Sequence, residues 1–140
     1  MIIKIKKLNS LAKIPHYAHP TDAGLDLCTV EKKVVPAGGR ATIPTGLAFE
    51  IPEGFVGLVW DKSGLAFKQG LTSLSGVLDA GYRGELFLCL LNTTTEDYVF
   101  NVGDKVAQLL IQPVVQVEIK EATTLTDSSR GEGGFGSTGK

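Results

Sequence analysis

Residues 76–92 read GVLDAGYRGELFLCLLN, and this stretch decides the fold. Val77 and Leu78 run into Asp79 as a strand would, and an apolar run begins at Leu86. Between them, Ala80-Gly81 and Arg83-Gly84 carry turn chemistry. The pattern predicts a bent hairpin with a carboxylate at its corner and a tyrosine three residues on. Such a corner suits a tight turn with a solvated aspartate. It equally suits a fixed acid or base beside a flat face for a ring.

Outward from this stretch, short β-type runs follow one another along the chain. They cover Leu25–Val30, Lys33–Val35, Ala41–Ile43, Leu47–Ile51, Phe55–Trp60, Leu86–Asn92, Tyr98–Val102 and Lys105–Lys120. Pro36 to Gly39, Pro44, Pro52 to Gly54 and Asn101 to Asp104 punctuate them. Met1–Lys7 alternates apolar residues with lysine, the period of a half-exposed strand near a sheet edge. Many short strands at this spacing predict an all-β sandwich or barrel. No window carries a sustained helical period, and no internal repeat is visible.

At 140 residues and 43% hydrophobic content the chain suits one domain with a real core. A formal charge of −1 gives no electrostatic footprint for nucleic acid or an anionic membrane. The N-terminus lacks the apolar core of a signal peptide, and no apolar run approaches a membrane span. A soluble, cytoplasmic protein is expected. Two cysteines, Cys28 and Cys89, stand among apolar neighbours and suit reduced core thiols rather than a disulfide framework or zinc site. His16 and His19 have no third ligand in view and read as surface or packing residues, and Trp60 reads as core.

Two segments depart from the strand pattern. Ser63–Gly70 has an N-cap residue at its start and glycine at its end, which predicts one to two turns of helix. It is either an ordinary capped surface helix or a phosphate seat, with Lys62 and the Ser63 hydroxyl beside free N–H groups. From Ser128 the chain reads SSRGEGGFGSTGK, which packs no core and should be mobile. That tail is either disordered or suited to wrapping a small anionic ligand, through Arg130, Phe135, Gly136, Ser137 and Thr138. The division expected is a β domain over 1–127 and a mobile arm over 128–140.

Taken in order, several stretches resemble the homotrimeric dUTP diphosphatases (dUTPases). They are Ile14–Ala18 (IPHYA), Ala23–Leu27 (AGLDL), Lys62–Ala66 (KSGLA), Gly76–Glu85, Gly103–Leu109 (GDKVAQL) and Arg130–Gly139. The resemblance implies a dUTPase-like β-barrel or jelly-roll-like β-clip with one short helix, a flexible glycine-rich C-terminal arm and a homotrimer with shared active sites. It further implies Mg²⁺-dependent hydrolysis of dUTP to dUMP and pyrophosphate. That reaction keeps uracil out of DNA and supplies dUMP for dTMP synthesis.

By the same match, Asp79 activates the attacking water, and Tyr82 packs on the deoxyribose and excludes a 2′-hydroxyl. Ser73, Val77, Leu78 and Phe87 belong to the uracil pocket. Lys62, Ser63, Gly64, Gln108 and Arg130 face the triphosphate, and Phe135 closes over the base with Gly136 and Ser137 in the arm. Asp26 supports the metal-bound waters without ligating Mg²⁺, which is held by substrate phosphates and water. Lys62 stands where the family usually has arginine, and Ser73 where it commonly has asparagine. The related dCTP deaminases carry a catalytic glutamate where this chain has Cys89, and a thiol in an apolar strand is ill suited to that proton transfer.

Overall fold

A computed structural model describes residues 1–74 and 76–134. The strands are β1 (Lys4–Lys7), β2 (Leu25–Cys28), β3 (Lys33–Val35), β4 (Arg40–Glu50), β5 (Phe55–Trp60), β6 (Leu71–Ser73), β7 (Val77–Leu78), β8 (Glu85–Asn92), β9 (Tyr98–Phe100) and β10 (Lys105–Pro113). One helix, α1 (Ser63–Gln69), lies between β5 and β6. Two four-stranded sheets, ordered β1-β4-β8-β6 and β2-β10-β5-β7, enclose the core, and β3 pairs with β9. The all-β, jelly-roll-like arrangement is the one expected, with the two larger sheets separate.

Alternation explains the layers. On β8 the even positions Leu86, Leu88, Leu90 and Asn92 are buried while Phe87 is exposed, so one face packs inward and the other faces out. Leu88, Leu109, Leu47, Ile43 and Phe100 meet between the sheets and are essentially inaccessible. β1 lies at a sheet edge, as its lysine alternation predicts.

Four details differ from the sequence expectation. The bent hairpin is not one: β7 pairs with β5 while β8 pairs with β4 and β6, so its two arms enter different sheets. Only the tight turn remains, with the Tyr82 amide donating to the Asp79 carbonyl at 3.1 Å. Pro44 does not divide β4, because a register shift between Pro44 and Ala48 absorbs it within one continuous strand. The β run from Lys105 ends at Pro113, and 114–120 is exposed and outside any strand. Lastly, the position before α1 is taken by Lys62, not Ser63, with no side-chain cap. The Lys62 carbonyl accepts from Leu65 and Ala66, and Gly70 closes the helix with φ 61° in the left-handed region.

One buried polar side chain ties the turn after β8 to the core. Asn92 donates to the Val35 and Glu96 carbonyls (3.1 and 2.8 Å), and its Oδ1 accepts from the Thr94 amide and hydroxyl (2.9 and 2.8 Å). Asn92→Ala leaves these buried groups without partners and should cost about 3 kcal/mol. A urea midpoint equal to wild type at unchanged m-value would refute that accounting.

Candidate active site

The corner between the sheets builds a cleft. Val77, Leu78, Asp79, Tyr82, Glu85, Leu86 and Phe87 line a space of about 250 Å³. β7 is the outer strand of its sheet, and β6 pairs only with Leu90, Leu91 and Asn92 on β8. Among the described residues no strand pairs with the outer edges of Val77 and Phe87, so their backbone is placed to hydrogen-bond the edge of a flat ring. Asp79 is exposed at the mouth and also borders a larger groove of about 630 Å³ that includes Phe55, Val56 and Gln112.

Side-chain hydrogen bonds hold this corner in shape. The Tyr82 hydroxyl donates to the Glu85 carbonyl at 3.1 Å, and Arg83 donates to the Ala80 and Tyr82 carbonyls at 2.6 and 2.9 Å. At the start of β8, Glu85 Oε1 accepts from the Gly46 amide at 2.8 Å, and the Thr45 hydroxyl donates to the Leu86 carbonyl at 2.7 Å. The β4 bulge and the cleft thus brace each other.

A second cluster lies where β5 gives way to α1. Asp26, on β2, is only 5% exposed, and its Oδ1 is gripped by Lys62. Its Oδ2 lies 2.6 Å from Lys105 Nζ, an ion pair without an aligned hydrogen bond. Burial alone would push the Asp26 carboxyl up, but the contacts with Lys105 and Lys62 outweigh it and hold the group below its ordinary range. Asp26 faces Gln108 across β2 and β10, and Gln108 faces Trp60 across β10 and β5. The Gln108 amide donates to the Asp61 carbonyl at 2.8 Å. A Cβ on Gly24 would collide with the Gln108 side chain, so glycine is needed where the chain approaches it.

Asp61 connects the two clusters. Its carboxylate accepts from the Thr72 hydroxyl at 2.8 Å and from the Ser73 amide at 2.6 Å. Ser73, Val77, Trp60 and Asp61 share a further cleft of about 300 Å³.

Val77, Leu78, Asp79, Tyr82 and Phe87 are thus brought together, with Ser73 adjoining them through Val77. Lys62, Asp26 and Gln108 gather at the head of α1, where Ser63 and Gly64 form its first residues. Arg130 donates to the Gly133 carbonyl at 2.7 Å within its own turn and does not line these clefts. Phe135, Gly136 and Ser137 lie outside the described residues. Trp60 is 57% exposed and lines a cleft, so it is not core: it is the last residue of β5, where the strand leaves the packed layer. Sequence reasoning passed over Asp61, Glu85 and Lys105, although all three lie in or beside the quoted stretches.

The matched family model is described as dUTPase and covers residues 10–139. The deoxyuridine 5'-triphosphate nucleotidohydrolase of Alkaliphilus metalliredigens is 48% identical over 139 residues, covering 98% of this chain and 96% of that one. That of Clostridium tetani is 46% identical over 140 residues, covering 99% and 97%. Among solved structures, the Staphylococcus bacteriophage 80alpha dUTPase with dUPNHPP superposes with TM-score 0.93 at 32% identity, covering 99% of each chain. A mutant dUTPase of phage phi11 of S. aureus, solved for the coordination of a structural Mg(II) ion, has TM-score 0.84 at 31% identity, covering 89% and 98%. This chain belongs to the dUTPase family.

The lowered Asp26 pKa has a signed consequence. Its contribution to stability is whole above the unfolded carboxyl's pKa of about 3.9 and fades as pH falls below that, through the lower folded value. Thermal melts of wild type and Asp26→Asn should therefore differ at neutral pH and converge in acid. A gap that persists unchanged to the acid limit would contradict the assignment.

Proposed function

We propose that this chain hydrolyses dUTP to dUMP and pyrophosphate, with Asp79 orienting the attacking water and taking up its proton. One observation carries the reading: Asp79, Tyr82 and the strand backbone of Val77 and Phe87 line a single cleft, and a separate cluster on the same chain, Lys62 and Lys105 around Asp26, carries an excess of positive charge. The uracil edge pairs with backbone near Val77, Leu78 and Phe87, with Ser73 nearby. Tyr82 takes the deoxyribose face. Lys62, the amides of Ser63 and Gly64, Gln108 and the Arg130 arm balance the triphosphate's charge. Water attacks the α-phosphorus, the α,β-bridging bond breaks, and the electron pair leaves with pyrophosphate.

Mg²⁺ fits as an ion borne by the substrate. Among the described residues no group of three or more His, Cys, Asp or Glu could hold a metal, and Asp26 is already matched by two ammonium groups. Mg²⁺ would keep water and substrate phosphate oxygens about it, with Asp26 as the neighbouring carboxylate. When bound it would neutralise charge on the phosphates.

A homotrimer with shared sites accounts for the apolar surface that one chain leaves bare, including Trp60, Phe67, Val115, Val117 and Ile119. Residues 1–127 form the scaffold, and 128–140 act as an arm, with Phe135, Gly136 and Ser137 closing over substrate. Ordering that arm excludes water and so strengthens the charge interactions. No helix among the described residues is long and apolar enough to cross a membrane. The reading places the enzyme in the cytoplasm, with neither nucleic acid nor membrane as a partner.

Incubation with Mg²⁺ and each of dUTP, dCTP, dTTP and UTP should yield dUMP and pyrophosphate from dUTP alone. Asp79→Asn should lower turnover by about a hundred- to ten-thousand-fold. Comparable dCTP turnover would show that Ser73 fails to enforce base choice, and ammonia release from dCTP would overturn the reaction class. Deleting residues 128–140 should abolish most turnover while the thermal melt of the scaffold is retained. Full activity without them would remove the arm from the mechanism.

A further inference from the structure

We infer that Lys105 is a positioning residue for the phosphate end of the site, holding the charge of Asp26 so that Lys62 can turn to an anionic ligand. The inference rests on the dUTP-hydrolysing reading and deepens it. Two cations and one anion meet here, and their exposure differs. Asp26 is 5% exposed, whereas the side chains of Lys62 and Lys105 are 28% and 47% exposed. The carboxylate cannot turn to water, but either lysine can.

The backbone brings Lys105 to this place. Ala107, Gln108 and Leu109 pair regularly with Leu27, Asp26 and Leu25, but Lys105 pairs with Cys28 because of a register shift between Lys105 and Ala107. Unbroken pairing would set it one residue further on, opposite Thr29. A bulge of this kind re-aims a side chain, and here it coincides with an ammonium on the buried Oδ2.

Charge balance gives the geometry its function. With both lysines present the cluster carries one surplus positive charge. If Lys62 swings to a phosphate, Lys105 still compensates Asp26, and no buried carboxylate is stranded. Without Lys105 the Lys62–Asp26 pair is neutral, and freeing Lys62 would leave Asp26 unpaired in the interior, a strongly unfavourable state. Lys62 would then stay locked to Asp26.

The test is calorimetric binding of α,β-imido-dUTP without Mg²⁺, so that metal-bound water at Asp26 plays no part, with a thermal melt of each variant. Lys105→Met, or Lys105→Gln should the first fold poorly, is expected to weaken binding by about tenfold or more. Lys105→Arg should keep most of the affinity. The double variant Lys105→Met/Asp26→Asn should recover it, because Lys62 no longer has a carboxylate to hold it. Wild-type affinity in a folded Lys105→Met or Lys105→Gln variant would overturn the inference. So would a double variant no better than the single one, since Lys105 would then touch phosphate itself or serve only the fold. A wild-type chain that neither binds the analogue nor hydrolyses dUTP would overturn the functional reading and this inference together. An active wild type with an unaffected Lys105→Met would overturn this inference alone.

Discussion

Two strands consecutive in the chain, β7 and β8, hydrogen-bond into different sheets, and the site depends on that parting. Six residues, 79–84, bridge the gap, and both ends are fixed. Leu78 is buried at one end, packed so close to Gly57 that a Cβ there would crowd Leu78, Ile51 and Leu109. At the other end Glu85 and Leu86 are tied to Gly46 and Thr45 in the β4 bulge. A short link with two anchored ends has little freedom, so the scaffold and the turn's own hydrogen bonds together hold Asp79 and Tyr82. The parting also leaves the outer backbone edges of β7 and of β8 near Phe87 without a strand partner among the described residues, which suits the base pairing proposed.

The charged end is built from a different constraint, the central place of β10. β10 lies between β2 and β5, so Asp26, Gln108 and Trp60 form one row across the sheet. Asp61 follows Trp60 and turns that row toward β6: its carbonyl is held by Gln108, and its carboxylate holds Ser73 and Thr72. A shift of β10 would therefore be felt at Asp26 and, through Asp61, at Ser73 and Thr72. Sheet register here is a functional quantity as well as a structural one.

Strand chemistry was largely legible in the sequence, and strand partners were not. Phe55–Trp60 and Lys33–Val35 have the bounds their residues suggest, because β-branched and aromatic composition and flanking glycine or proline are local signals. β4 misleads because Pro44 looks like a break, and only the pairing with β8 shows it accommodated at a bulge. The corner at Asp79 resembles a hairpin for a similar reason, since turn chemistry is local and sheet membership is not. Ser63 carries the residue type of an N-cap, yet the chain already turns at Lys62, whose side chain is drawn to Asp26. Trp60 looked like core from its composition, but a strand's last residue can leave the layer. Val77, Leu78, Asp79, Tyr82 and Phe87 do gather at one cleft and Lys62, Asp26 and Gln108 at another cluster, while Arg130 stays within its own turn. The supports, Asp61, Glu85 and Lys105, were passed over because their roles exist only through contacts with distant strands.

The cleft of one chain is shaped for its ligand on two walls and open elsewhere, and chemistry sets what the open side must receive. In the proposed reaction the carboxylate activating water would gain from a dry surrounding, where charge interactions are stronger, yet Asp79 stands exposed. Its rim offers Val77, Tyr82 and Phe87, apolar surface that gains from being covered. A permanent cover would shut out the substrate. On the proposed reading a cover that orders only against bound ligand avoids this, and a glycine-rich segment carrying one guanidinium and one aromatic suits that part, since its ordering entropy would be offset only when phosphate and base are present to meet it. On the proposed reading the rigid corner and the glycine-rich arm answer one requirement: hold the reacting carboxylate still, and exclude bulk water while the single attacking water stays in place.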